Sequence, residues 1–237
     1  MDTRQAMKTE FSDRDKVLIA TLLRKVAQAR LQNDRIALVA RSELKNILEN
    51  EELAQIDKVY AIDPTRYGFK GPRQGIETMP KNLIRVAPRP YHFEGKKLFT
   101  ATQYVPERTH CAFRLMAGAM QQQIGRTILV ESSYRSNDFQ AIVFLGILQM
   151  NDFSLMPTIQ RAAIPGYSEH TTPSSLALDV QNVDGLPSDK TPQDFEGTQE
   201  YDWLVENAQL YDFFMSYPRD NPYGLMFEPW HWRHIPR

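Results

Sequence analysis

Phe227-Glu228-Pro229-Trp230-His231-Trp232, near the C-terminus, is the stretch on which the reading of this chain turns. It sets a carboxylate three positions before an imidazole, inside an aromatic run. Pro229 lacks an N–H and its ring clashes with a preceding helical turn, so an ordinary helix does not run through it. The helical zinc-site pattern, two histidines four apart on one face, therefore does not apply. The run Leu225-Met226-Phe227-Glu228 is expected instead to be a strand leading into a bent or edge segment.

Working outward, Ser168-Glu169-His170 and Ala177-Leu178-Asp179 supply a second imidazole and a second carboxylate, in a chain with only five histidines. A hydrolytic zinc site needs neutral imidazoles and a carboxylate as ligands, an open coordination position, and another carboxylate to take a proton from water. His170, Asp179 and His231 make such a three-ligand set and leave Glu228 free as the base. Each residue alone is weak, because a lone His or Asp is more often a hydrogen-bonded structural group. The weight lies in the set.

At these positions the sequence resembles the VanY-type D-alanyl-D-alanine carboxypeptidases, zinc peptidases that trim bacterial cell-wall stem peptides. The family pattern S-x-H-x-x-G-x-A-x-D is matched by Ser168, His170, Ala177 and Asp179. The later E-x-W-H is matched by Glu228, Trp230 and His231. A third signature, S-G-Y-R-S followed by a Gln, is matched by Ser132-Ser133-Tyr134-Arg135-Ser136 and Gln140, with Ser133 where the family has Gly. Tyr201 to Ala208 and Tyr211-Asp212-Phe213 look like the family's helix before its last strand. The resemblance covers roughly residues 101–235, with the motifs in order, which is what makes a motif match specific.

One departure stands out. The family pattern separates His from Asp by seven positions, whereas His170 and Asp179 are nine apart, and the Gly is missing. The intervening Thr171-Thr172-Pro173-Ser174-Ser175-Leu176 is turn-rich, so a lengthened loop that keeps Asp179 as ligand is expected. The rival expectation is a distorted, catalytically weak site.

The resemblance implies a zinc-dependent carboxypeptidase acting on the terminal D-Ala-D-Ala bond of peptidoglycan stem peptides. The alternatives are an L,D-carboxypeptidase, a peptidoglycan endopeptidase of the same fold, or a zinc-binding or cell-wall-binding module without turnover. It also places the matching Arg135 in the substrate site. A permanently charged guanidinium that donates two hydrogen bonds suits either the developing oxyanion or the substrate's terminal carboxylate. Gln140, Ser168, Tyr134 and Trp230 are the candidate substrate-binding residues. Trp232 is expected to pack around the site, and His92, His110 and His234 to be structural or surface groups, with support of His231 the alternative for the nearby His234.

Composition fits without deciding. Residues 1–110 hold 20 Lys/Arg against 14 Asp/Glu, and residues 111–237 hold 8 against 15, so a basic half precedes an acidic one. An acidic half suits a divalent cation and argues against a nucleic-acid partner. Cys111 is the single cysteine, which excludes an internal disulfide and a Cys-based metal site. A buried inert thiol is expected there, on a helix from 107 to 124 whose apolar stripe is Ala112, Leu115, Met116, Ala119 and Met120. Val17 to Leu23 lies between acidic and basic residues and reads as the face of an amphipathic helix rather than a secretory signal. No stretch approaches transmembrane length. The expected location is the cell envelope or periplasm if a leader is missing from this chain, and the cytoplasm otherwise.

The expected fold class is α+β: a small antiparallel sheet flanked by helices and carrying the zinc site, with an N-terminal helical and irregular extension. The expected division is a helical and Pro-rich region over 1–100 and the peptidase domain over 101–237. Helices are expected over 12–31, with Ser12 as N-cap, and 42–55, capped by Ser42. Residues 61–106 are expected to be irregular. Beyond them come the helix 107–124 ending at Gly125, a strand at 127–131, a helix over 138–150, and a helix from Thr198 to about Met215. That last helix carries Tyr201, Leu204, Val205, Ala208 and Tyr211 on one face.

Overall fold

The computed structural model describes residues 11–187 and 192–237; the first ten residues of the expected N-terminal region lie outside the described residues. Helix α1 (Asp13–Arg30) starts where expected: the Ser12 side chain accepts from the Asp15 N–H while the Asp15 carboxylate accepts from the Ser12 N–H. The single helix expected over 42–55 is two. A one-turn helix, α2 (Arg41–Leu44), follows Ala40, whose N–H is held by Glu43, and α3 (Asn50–Tyr60) follows Glu49, whose N–H is held by Glu52. Ser42 lies inside α2 and caps nothing, because carboxylates three residues on have taken the capping task.

Residues 61–106 are irregular only in their first part, where 68–82 form no helix or strand. They hold four short strands, β1 (Leu83–Val86), β2 (Pro90–Phe93), β3 (Lys96–Phe99) and β4 (Gln103–Pro106). β1 pairs with β4, and β2 with β3 through a two-residue turn at Glu94-Gly95, both at positive φ. A turn of that hand matches the strands' twist and is eased by Gly. Of the prolines that suggested irregularity, Pro90 opens β2 and Pro106 closes β4, where a missing N–H costs least, while Pro72, Pro80 and Pro88 lie outside the strands.

Helix α4 (Glu107–Ile124) closes on Gly125 in the left-handed conformation. Its inward face is Thr109, Phe113, Met116 and Met120; Leu115 and Cys111 point to solvent, so the thiol is exposed rather than buried. Of the expected stripe, Ala112, Met116, Ala119 and Met120 do pack on the core, and only Leu115 is displaced, by Phe113. After β5 (Ile128–Ser132) come α5 (Asn137–Met150) and the short α6 (Leu155–Ile159). β6 (Ala177–Asn182) precedes α7 (Gln199–Asn207), which stops earlier than expected. A 3-10 turn over Ala208–Tyr211 and Asp212 at positive φ release the chain into β7 (Phe213–Met215), and Val205 faces out. The last strand, β8, is His231–His234; Leu225 to Glu228, expected as a strand, is extended but outside any ladder. Its Met226 and Glu228 N–H groups are taken by Gln160 and Tyr217 carbonyls, which leaves no edge for strand pairing.

The four later strands form one antiparallel sheet in the order β5-β6-β8-β7. Leu178, Val180, Trp232 and Phe213 point to one side and pack on Met116 and Met120 of α4 and Leu204 of α7. A second core joins Ile19 and Leu22 of α1, Ile56 and Val59 of α3, and Phe144, Leu145 and Leu148 of α5. That core draws residues from both sides of position 100, and Arg41 reinforces it by bridging Asp57 and Asp138. The fold is α+β, with the sheet's second face turned toward a cavity. No helix among the described residues is long and apolar enough to cross a membrane.

Candidate metal centre

Strand register assembles half of the site. Asp179 on β6 lies directly opposite His231 on β8, and Ser132 on β5 opposite Asp179. Side chains alternate along a strand, so burying Leu178, Val180 and Trp232 in the core sends Asp179 and His231 together to the other face. The register of β5 shifts between Val130 and Ser132. Such an irregularity re-aims the chain beyond it. Here it carries Ser133 and Arg135 across to the turn that bears His170.

That turn, a 3-10 segment over Glu169–Thr171, is held locally by Ser168: its hydroxyl accepts from the His170 N–H, and its carbonyl accepts from the hydroxyls of Thr171 and Thr172. His170 is then clamped twice. Its carbonyl accepts from the Arg135 N–H at 2.9 Å, and its Nδ1 lies 3.1 Å from the Ser133 carbonyl. With Nδ1–H donating there, the Nε2 lone pair is left facing Asp179 Oδ2 at 3.2 Å. His231 is set the opposite way round. Its Nε2 is 3.0 Å from Glu169 Oε2, and its Nδ1 faces Asp179 Oδ1 at 2.9 Å.

One ligand atom from each of His170, Asp179 and His231 therefore lies within 4.8 Å of the other two. The donor set suits a metal: two imidazole nitrogens whose opposite nitrogens are engaged elsewhere, and one carboxylate between them. The site is positioned for a metal ion.

Glu228 arrives by a turn rather than along a strand. The His231 N–H donates to the Glu228 carbonyl, with Pro229 at the position of the turn that needs no N–H. The Glu228 carboxylate is thereby folded back to 3.7 Å from His231 Nδ1. Burial pushes its pKa up to about 7, with Asp179 adding to the push and His231 opposing it. Burial also drives His170 down to about 4, helped by the Arg135 charge. For His231 burial acts downward, but the hydrogen bonds it donates to Asp179 and Glu169 outweigh it and raise the imidazole to about 10. Burial works against the Asp179 carboxylate, yet His170 and His231 together hold it far below the usual range. The carboxylates around His231 thus leave it a proton that a cation would replace.

The site opens on a cavity of about 890 Å³, reached by Arg135, Glu131, Tyr217 and Trp230. Arg135 faces the charges of Asp179, Glu131 and Glu228, and its Nε is buried with no hydrogen-bond partner among the described residues. Ser168 and Gln140 line the same cavity, but both side chains are engaged: Ser168 as the cap just described, Gln140 by donating to the Ala163 carbonyl at 2.6 Å. Tyr134 is not in the lining; its ring is buried in the core beneath the sheet, and it is corrected to a packing residue. Trp232 is also in that core, its indole N–H donating to the Pro229 carbonyl. His234 faces away from the centre, beside Thr109 and Phe213.

Residues with no assigned role in the sequence reading crowd His231. Glu169, buried, accepts from it; Tyr217 lays its ring 4.7 Å away; Ser216 and Arg233 hold Glu169. Glu169 carried a signal, being the neighbour of His170, but adjacency does not say which way a carboxylate points. The far wall of the cavity comes from the N-terminal region, through Arg30, Asp34, Tyr91 and Phe93.

A D-alanyl-D-alanine carboxypeptidase of Enterococcus faecium is 26% identical over 161 residues, covering 67% of this chain and 46% of its own length, so the chain spans about half of that relative. Among solved structures, the LdcB LD-carboxypeptidase is 26% identical with a TM-score of 0.50, the match covering 67% of this chain and 70% of that one. The vancomycin-resistance D,D-pentapeptidase VanY, solved in complex with Zn(II), is 21% identical with the same TM-score of 0.50, covering 72% and 88% of the two chains, and shares the fold. The family model for VanY, D-alanyl-D-alanine carboxypeptidase, matches residues 102–237, which hold every ligand candidate and Glu228, and the chain belongs to that family.

Proposed function

We propose that the protein is a zinc-dependent carboxypeptidase that removes the terminal D-Ala from peptidoglycan stem peptides, with residues 101–237 as its catalytic unit and the envelope as its place of action. The observation that carries this reading is the convergence of His170, Asp179 and His231 with the unligated carboxylate of Glu228 at the floor of one cavity. A binding-only module has no use for that fourth group. Zinc held by the three residues would supply Lewis acidity toward water and a peptide carbonyl. Glu228 accepts the proton that water gives up and hands it to the leaving amine, a role that suits a carboxylate titrating near neutrality. Arg135 offers donors to the oxyanion or to the terminal carboxylate, from a place where its Nε has no partner among the described residues. Gln140 and Ser168 shape the wall they line, and Trp230 limits water at its rim.

Incubating metal-replete protein with tetra- and pentapeptide stems, and identifying products by mass, tests the assignment. Conversion of pentapeptide to tetrapeptide is expected. The likeness to LdcB supports a second reading, L,D-cleavage, for which tetrapeptide to tripeptide would be the product. No cleavage of either stem would overturn both.

Arg135 separates two roles in the same assay. If it serves the oxyanion, Arg135→Lys lowers kcat and leaves KM nearly unchanged; if it clamps the free carboxylate, KM rises and C-terminally amidated peptides are poor substrates of the wild type. The expected result is the second, since an exopeptidase must read a free end. Equal cleavage of amidated and free-acid peptides would point to an endopeptidase.

A further inference from the structure

We infer that Glu169 is a positioning residue for the metal centre, holding His231 in the one tautomer and orientation that can bind the ion, and that Arg233 acts through it. The inference rests on the reading that His170, Asp179 and His231 hold a metal. An imidazole binds a metal through one nitrogen, and the hydrogen bond made by the other decides which. His231 Nε2 lies 3.0 Å from Glu169 Oε2, so Nδ1 is the free lone pair, and Nδ1 is the atom facing Asp179 and Glu228.

A buried carboxylate stays ionised only if its charge is answered and its lone pairs are used. Glu169 meets both needs. Ser216 Oγ donates to Oε2 at 2.5 Å, and Arg233 Nη1 to Oε1 at 2.9 Å. Arg233 is itself fixed on three further sides: Nη2 donates to Gln74 Oε1 at 2.8 Å and to Ser175 Oγ at 2.7 Å, and Nε donates to the Ser175 carbonyl at 3.1 Å. A guanidinium so constrained cannot swing, and neither can the carboxylate it holds.

Two of those partners come from unexpected places. Ser175 belongs to the lengthened loop between His170 and Asp179, and Gln74 to the N-terminal region. The same loop is tied again where the Ser174 hydroxyl and N–H both donate to Glu77. The longer loop is thus anchored on residues 74–77 and returns a hydrogen-bond acceptor to Arg233, which accounts for its leaving Asp179 in register with His231. The two imidazoles also differ in support. His170 has a neutral carbonyl behind it, whereas His231 has a carboxylate, which raises the basicity of the ligand it backs.

The test is the zinc dissociation constant of the full-length protein, measured by chelator competition, together with the His231 Nε2 proton resonance of the zinc-loaded form. Glu169→Ala is expected to weaken zinc by about 10–100-fold, and Glu169→Gln, which keeps an acceptor without the charge, by less. The Nε2 proton should move upfield in the Gln variant. Arg233→Gln should weaken zinc in the wild type but add little on top of Glu169→Gln, as expected of residues acting in series. Unchanged zinc affinity and an unmoved resonance in Glu169→Gln would overturn the inference. If Glu169→Ala does not fold, the Gln variant decides alone. Full zinc retention by both His170→Ala and His231→Ala would instead sink the metal assignment beneath it, so the two failures are told apart.

Discussion

Glu228→Ala is expected to keep the metal and the fold while losing hydrolysis by ~10²–10⁴-fold, the usual contribution of a positioned proton acceptor. The carboxylate is repelled by Asp179 and Glu169 and attracted by His231 and Arg135, so on its removal these effects largely offset, and no hydrogen bond on which the sheet depends is lost. Zinc content and thermal unfolding of the variant should therefore match wild type, while kcat falls. The pH profile gives a second check. Only the ionised form accepts a proton, so kcat/KM should fall as pH drops through the pKa of Glu228. That pKa is about 7 without a cation, and a divalent ion beside it favours the charged form, so the acid limb should lie below 7 in the loaded enzyme. A Glu228→Ala variant that cleaves at the wild-type rate would show that another group is the base.

His231→Ala is expected to abolish stable zinc binding, where wild-type protein should hold about one ion per chain. The substitution removes a ligand nitrogen and also takes the imidazole from Glu169 Oε2, leaving that buried carboxylate to Ser216 and Arg233. His170→Ala should act in the same direction. Proton release gives the sign of the pH dependence. His231 is raised to about 10 and so holds a proton at neutral pH in the metal-free protein, which the ion must displace. Zinc affinity should accordingly rise with pH through the neutral range, and calorimetry in buffers of different ionisation enthalpy should detect a released proton. Affinity independent of pH, or full metal retention in both single variants, would remove His231 and His170 from the ligand set.

What the sequence determined by itself was what a few neighbouring residues can encode. Ser12 with Asp15 starts α1, Gly125 ends α4, and Pro229 forbids a helix between Glu228 and His231; each acts within one turn of chain. The ligand types His170, Asp179 and His231, with Glu228 beside them, were legible because coordination chemistry restricts which side chains can serve. Tertiary structure decided the rest. Whether Leu115 or Phe113 faced inward depended on where the sheet lay against α4, and Cys111 followed. The four strands within residues 61–106 exist because they pair with one another, which proline spacing does not record. Tyr134, read as a substrate contact, points into the core because the irregularity in β5 turns the chain there. Glu169, Arg233, Ser216 and Gln74 became one hydrogen-bonded set only when a loop, two strand ends and the N-terminal region met. Such partners are chosen by burial, since a charge taken from water must find its counterpart wherever the fold places one.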